Sequence, residues 1–227
     1  MALPGKPATG KQKDRVFLVE DHPVTREGFA QLINFQNDLQ VCGQTGTAAL
    51  ALTEIAALSP DLVILDISLA GTSGVELIKD LTCRDPILRI LVLSTHDETL
   101  YAERALRAGA RGYVMKHEPT QQVMAAIRQV LGGGVYLSER MRNRLLERVA
   151  KSSSSALASD FEQLSDRELQ VFQLIGEGRS TRQIGASLHL SVSTVETYRA
   201  HIKEKLRLEN ATELVQRAVG WVHTRDL

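Results

Sequence analysis

In four places a short apolar run stops at reactive side chains. Asp61-Leu62-Val63-Ile64-Leu65 ends in Asp66. Val16-Phe17-Leu18-Val19 ends in Glu20-Asp21, Ile90-Leu91-Val92-Leu93 in Ser94-Thr95, and Tyr113-Val114-Met115 in Lys116. Runs of this kind read as strands buried on both faces of a parallel sheet. Open α/β sheets bind ligands beyond the carboxyl ends of their strands. If the strands are parallel neighbours, three carboxylates, a hydroxyl and an ammonium meet on one edge of one sheet.

Such a cluster has a definite chemistry. Two carboxylates about 4 Å apart at an effective dielectric near 20 repel by about 4 kcal/mol. A hard dication with oxygen ligands removes that penalty, and Mg²⁺ keeps waters that a phosphate can replace. Phosphoryl transfer needs positioning and charge neutralisation, which Mg²⁺ and Lys116 would supply.

The elements that must position these groups follow from pattern. Strands fall near 15–20, 40–45, 61–66, 89–94 and 112–116; helices fall near 23–36, 47–58, 74–84, 98–108 and 119–131. The alternation predicts a doubly wound, flavodoxin-like α/β domain with a five-stranded parallel sheet over residues 15–132. Residues 1–14 read as a disordered arm. Residues 133–160 read as a linker with a short helix near 139–150 and a flexible Ser152-Ser153-Ser154-Ser155 run. From 161 to 227 strand patterns disappear, and an all-α bundle of four short helices is expected. Ser165–Glu168, Ser180–Gln183 and Ser193–Glu196 each fit a capping box, and Asn210–Glu213 is a looser start. Gly176 and Gly178 mark the end of the first of these helices.

The 43% hydrophobic and 24% charged residues are ordinary for a globular protein. No run is long enough to span a bilayer and no signal-peptide pattern begins the chain, so no membrane role and a cytoplasmic location are expected. Cys42 and Cys83 lack metal-ligand spacing and read as buried, reduced thiols. His22, His96 and His117 read as solvated loop residues.

The set Glu20-Asp21, Asp66, Ser94 and Lys116 resembles the receiver domain of bacterial response regulators over about residues 14–131. The resemblance implies Asp66 as phosphoacceptor for a sensor histidine kinase. It implies Glu20, Asp21, Asp66 and the main-chain carbonyl of Ser68 as Mg²⁺ ligands. Ser94 and Lys116 would bind the phosphoryl group, and Tyr113 matches the family's switch aromatic, expected to turn inward on phosphorylation. Glu20 stands where the family often has aspartate; Ala70 and His117 stand where many receivers have proline.

The segment from Leu164 to Leu214 looks like the LuxR-type DNA-binding domain, through Glu168, Gly178, Ile184, Ala186, Leu188, Ser193-Thr194-Val195, Ile202, Lys205-Leu206 and Asn210. Together the two resemblances point to the NarL/FixJ subfamily. Ile184 and Leu188 give an apolar stripe on the second helix; Val195, Ile202 and Leu206 give one on the third, expected over 193–207. The opposite face carries Glu196, Thr197, Ala200, Lys203 and Arg207. Lys plus Arg equals Asp plus Glu from 161 to 227, so DNA binding requires a local basic face.

The DNA-facing set is Thr194, Glu196, Thr197, Arg199, Ala200, His201, Lys203 and Lys205. Thr197 and Ala200 are expected at base edges, with Arg199, Lys203 and Lys205 on phosphates. His201 is open between a phosphate contact and mere exposure. Glu196 is open between a capping-box partner of Ser193 and a reader of a cytosine amino group. Trp221 is expected in the core or at a dimer seam.

The expected protein is a transcription regulator that is not an enzyme beyond its own aspartyl phosphorylation and slow dephosphorylation. It would bind double-stranded promoter DNA as a homodimer when phosphorylated or DNA-bound, with contact to RNA polymerase left open. An aspartate-nucleophile phosphohydrolase commonly has a second aspartate two residues after the nucleophile, where Ser68 stands here. A regulator whose receiver is never phosphorylated is the third alternative.

Overall fold

A computed structural model of the chain describes residues 12–69, 72–151 and 160–223. The run Ser152–Ser155, Ala70 and the first eleven residues of the expected arm lie outside the described residues. The chain divides into two compact units, with the main break between Ser138 and Glu139 and the segment Ser68–Glu76, where the third helix begins, grouped with the second.

The first unit carries β1 (Asp14–Val19), α1 (Pro23–Asn34), β2 (Leu39–Thr45), α2 (Ala48–Leu58), β3 (Leu62–Leu65), α3 (Gly74–Arg84), β4 (Ile90–Ser94), α4 (Glu98–Ala108), β5 (Gly112–Met115) and α5 (Thr120–Leu131). The five strands are all parallel in the order β2-β1-β3-β4-β5. Alternate residues of each strand point to opposite faces. Val16, Leu18, Ile64, Leu91, Leu93 and Val114 therefore form one buried cluster with Ile33 of α1 and Val123, Ile127 and Val130 of α5. Phe17, Val63, Leu65, Val92 and Tyr113, the intervening residues, are also buried, so the sheet is covered on both faces.

Three expectations need correction. Strand β1 begins at Asp14, within the expected arm. The first unit runs through Ser138 rather than ending at 132, because β5 is an edge strand whose open main-chain groups need partners. Tyr136 supplies them: its amide donates to Arg111 at 2.9 Å and its carbonyl accepts from Tyr113 at 3.1 Å. The cysteines are not both buried. Cys42 is half-buried at a register shift of edge strand β2, where Val41 and Gly43 pair with Val16 and Phe17 and Cys42 is left over. Cys83 is exposed, since Leu77, Ile78 and Leu81 take the buried face of α3.

The second unit carries α6 (Glu139–Lys151), a 3₁₀ turn (Asp160–Gln163), α7 (Asp166–Gly176), α8 (Thr181–Leu188), α9 (Val192–Leu206) and α10 (Ala211–His223). The capping boxes of Ser165 with Glu168 and Ser180 with Gln183 are both complete. Asn210 Oδ1 accepts from the Glu213 amide at 3.0 Å at the start of α10. Two glycines let backbones approach closely. A Cβ on Gly176 would meet the Ala218 carbonyl of α10 at 2.5 Å, and one on Gly185 would meet the Leu190 carbonyl at 2.8 Å. The second contact sets the tight turn between α8 and α9, where the Leu190 amide donates to the Gly185 carbonyl at 2.8 Å.

Trp221 packs with Phe161 and Phe172 at ring-centroid distances of 5.4 Å each, the second edge-on. Its place is thus the aromatic corner of this unit, half-buried rather than fully enclosed.

Candidate functional site

Register brings the reactive side chains together. Val19 of β1 pairs with Leu65 of β3, and the Asp66 amide donates to the Val19 carbonyl at 2.9 Å, so Glu20 and Asp66 leave adjacent strands side by side. Ser94 pairs with Met115, and the Lys116 amide donates to the Ser94 carbonyl at 2.8 Å. Lys116 reaches back over β3: its Nζ lies 2.8 Å from Asp66 Oδ2 and 2.5 Å from Glu20 Oε2. Asp66 and Glu20 are buried and the lysine nearly so. Burial pulls the Lys116 pKa down, but the Asp66 and Glu20 carboxylates outweigh it and hold it above the ordinary lysine value.

Glu20, Asp21, His22 and Asp66 each turn a donor atom into one space, all within 4.8 Å of one another. Asp21 Oδ1 is buried without a hydrogen bond; His22 Nδ1 lies 2.8 Å away but lacks the alignment for one. Three carboxylates, one of them with an orphaned buried oxygen, fit a divalent cation. Ser68, two residues after Asp66, is half-buried, and its backbone bridges to Ser73.

His22 is exposed as expected, yet it is not simply solvated. It stands at the N-cap of α1 with no side-chain capping bond, and its ring turns back to Glu20 Oε1 at 3.2 Å. The signal for this was its position beside Glu20-Asp21 and before Pro23. His96 is also engaged, its ring 4.9 Å from that of Tyr101.

Ser94 is fully buried, and its Oγ accepts from the His96 amide at 3.2 Å. Tyr113 is buried, and its hydroxyl donates to the His96 carbonyl at 2.7 Å. Burial pushes its phenol well above the ordinary tyrosine pKa, against a hydrogen bond with Ser94. The inside of the first unit offers this large ring a polar partner, which removes the main cost of burying its hydroxyl.

In the second unit Val195 and Ile202 are fully buried and Leu206 half-buried, as the apolar stripe predicts. Glu196, Thr197 and Ala200 are exposed on α9, and Lys203 is half-buried with no ion pair among the described residues. The N-cap differs from expectation. Ser191, not Ser193, accepts from the Thr194 amide at 3.0 Å, because the tight Gly185–Leu190 turn forces α9 to start early. Thr194 is half-buried beside that cap, its hydroxyl 2.7 Å from Ser191 Oγ. Glu196 is therefore no cap; it accepts from the Thr181 hydroxyl of α8 at 2.9 Å. The helix ends at Leu206, and Arg207 closes it at a φ of 56°.

Two expected phosphate contacts are otherwise occupied. Lys205 Nζ lies 2.7 Å from Glu168 Oε2, tying α9 to α7, with exposed His201 at 3.8 Å from the same carboxylate. Arg199 lies mostly covered along α9, its Nε 3.6 Å from Glu196. Lys203 remains the basic residue of α9 best suited to a phosphate. Lys203→Ala should weaken binding to all DNA sequences alike and lower the slope of log affinity against log salt by about one. Filter binding across a salt series checks this; an unchanged slope with an altered sequence preference would refute it.

Burial raises the Glu168 pKa, but Lys205 and the Ser165 amide and hydroxyl outweigh it and hold it below the ordinary glutamate value. A carboxylate depressed in the folded state contributes stability that is present above its unfolded pKa and lost as pH falls through the folded one. The second unit should therefore lose stability on acidification below the ordinary glutamate range, and Glu168→Gln should flatten that loss. Thermal melts from neutral to acid pH read by Trp221 fluorescence test it. Equal acid slopes in both proteins would count against the tie.

The family description "Response regulator receiver domain" matches residues 16–128, and "Bacterial regulatory proteins, luxR family" matches residues 162–218. The chain is 32% identical over 209 residues to the oxygen regulatory protein NreC of Staphylococcus carnosus, covering 90% of this chain and 96% of that protein. A LuxR-family two-component response regulator from Aurantimonas sp. superposes with a TM-score of 0.58 at 30% identity, over 61% of this chain and 99% of its own. RcsB from Salmonella enterica serovar Typhimurium, solved on promoter rprA with a phosphate mimic, shares the fold: TM-score 0.58, 22% identity, 90% of this chain and 98% of that one.

Proposed function

The chain belongs to the NarL/FixJ response regulators, which join a receiver domain to a LuxR-type DNA-binding domain, and from that premise we propose that phosphorylation of Asp66 by a sensor histidine kinase controls its binding to promoter DNA. The observation that carries this is the position of Lys116 on Asp66, at the end of β3, with Glu20 and Asp21 beside it.

Asp66 is the nucleophile, and its Oδ2 is held by an ammonium that neutralises charge arriving with the phosphoryl group. Glu20, Asp21, Asp66 and the Ser68 carbonyl would hold Mg²⁺, which lowers the charge repulsion between carboxylate and donor. Ser94 donates to the transferred group. The protein is not an enzyme toward a separate substrate; the chemistry is its own phosphorylation and slow hydrolysis. No helix among the described residues is long and apolar enough to cross a membrane, and a cytoplasmic site of action suits a partner set of kinase, DNA and a second copy of the chain.

Thr197 and Ala200, exposed on α9, face base edges, with Glu196 beside them as a reader held by Thr181. Phosphorylation shifts the monomer–dimer equilibrium, and two linked half-sites then reward the dimer. A complete switch from about 1:99 to 99:1 needs about 5.5 kcal/mol. One charged group pulling one loop supplies part of that, so the free protein should shift partially and DNA should complete the change. Sedimentation and DNA affinity with and without a phosphate mimic measure it. Identical mass and identical affinity in both states would overturn the coupling.

A further inference from the structure

The acidic cluster contains a donor that magnesium has no use for. His22 Nδ1 lies 2.8 Å from Asp21 Oδ1 and 3.2 Å from Glu20 Oε1, and it belongs to the same 4.8 Å group as Asp66. Its ring makes no capping bond to α1 and is about two-thirds exposed, so a cation from solvent reaches it. Glu20 divides its two oxygens: Oε2 faces Lys116 and Oε1 faces His22. The orphaned, buried Asp21 Oδ1 also faces His22. Two ligands at about 2.0–2.1 Å from a tetrahedral zinc stand about 3.3 Å apart, close to these separations.

We propose that His22 gives this site a nitrogen ligand, so that zinc(II) or a neighbouring transition-metal dication binds in preference to magnesium and blocks Asp66. The proposal rests on reading Glu20, Asp21 and Asp66 as a cation site. Imidazole suits zinc, nickel and copper, whereas magnesium takes oxygen ligands and sheds water reluctantly. Losing the nitrogen therefore penalises the transition metal and leaves magnesium untouched. Glu20, Asp21, His22 and Asp66 together would fill a tetrahedral zinc and leave no open position for a phosphoryl oxygen, whereas magnesium keeps waters that such an oxygen replaces. The receiver then responds to transition-metal load as well as to its kinase.

Cobalt(II) serves as the probe, because its visible bands report its ligands. Full-length wild-type protein, His22→Ala and Asp21→Asn are titrated with cobalt, with zinc displacement, and separately with magnesium by calorimetry. His22→Ala should lose cobalt and zinc affinity by at least about ten-fold, the smallest loss expected even for a partner outside the ligand shell. Its magnesium affinity should not change. Asp21→Asn should lose both. Zinc should suppress labelling of Asp66 in the wild type, and about ten-fold more should be needed in His22→Ala. Equal cobalt affinity in wild type and His22→Ala overturns the proposal, as does full cobalt binding by Asp21→Asn, which puts the metal elsewhere. Wild type that binds neither cobalt nor magnesium overturns the cation-site reading itself.

Discussion

Asp66→Asn should abolish labelling by a small-molecule phosphodonor, and the wild-type label should disappear in a chelator. The expected loss is total, because no other buried carboxylate at the strand ends is both held by Lys116 and placed at the end of the central strand. Asparagine has nearly the same shape and still accepts a hydrogen bond from Lys116, so the fold survives. Circular dichroism of the variant should match the wild type while the label is gone. Full labelling of Asp66→Asn, or labelling undiminished without a divalent cation, would sink the assignment.

The second large effect is on stability. Lys116 is the ammonium shared by Asp66 and Glu20, and all three are nearly out of water. Removing one partner from a buried pair typically costs about 3–5 kcal/mol, because the remaining charges are left uncompensated. Lys116→Met keeps the apolar stem and removes the charge, so the first unit should melt well below wild type in a chelator. A divalent cation should restore much of the loss, since it replaces the missing positive charge; saturation at 100 times the dissociation constant stabilises by about 2.7 kcal/mol. The sign with pH follows from the raised lysine pKa. The stabilisation is fully present below the ordinary lysine value and fades only as pH rises through the raised one. Melting curves with and without magnesium decide the matter. A variant as stable as wild type in chelator would show that the ammonium does not hold the carboxylates together.

Much of this was readable from the chain. Apolar runs ending in Glu20, Asp66, Ser94 and Lys116 are visible because strand-end position follows directly from where hydrophobicity stops. What was hidden depends on turn geometry. Ser191 and Ser193 offer the same hydroxyl two residues apart, and only the backbone contact at Gly185 decides between them. Lys205 reads as a phosphate ligand because helical spacing shows a face but not the carboxylate that Glu168 brings from another helix. Burial of Cys42 failed for a similar reason, since a bulge in an edge strand left only Gly43 beside it as a trace in the residue types. For Tyr113, burial was in view but its partner was not, since a main-chain carbonyl at His96 leaves no side-chain signal.

Ser94 has a single hydroxyl proton. Its oxygen accepts from the His96 amide, and the Tyr113 hydroxyl donates to the carbonyl of the same residue. Residue 96 is thus pinned at its amide by β4 and at its carbonyl by β5. The Ser94 proton is the part of this arrangement that can turn without breaking either bond. A group that drew the Ser94 oxygen toward Asp66 would tug on a loop that β5 also holds, so loop and strand would answer together.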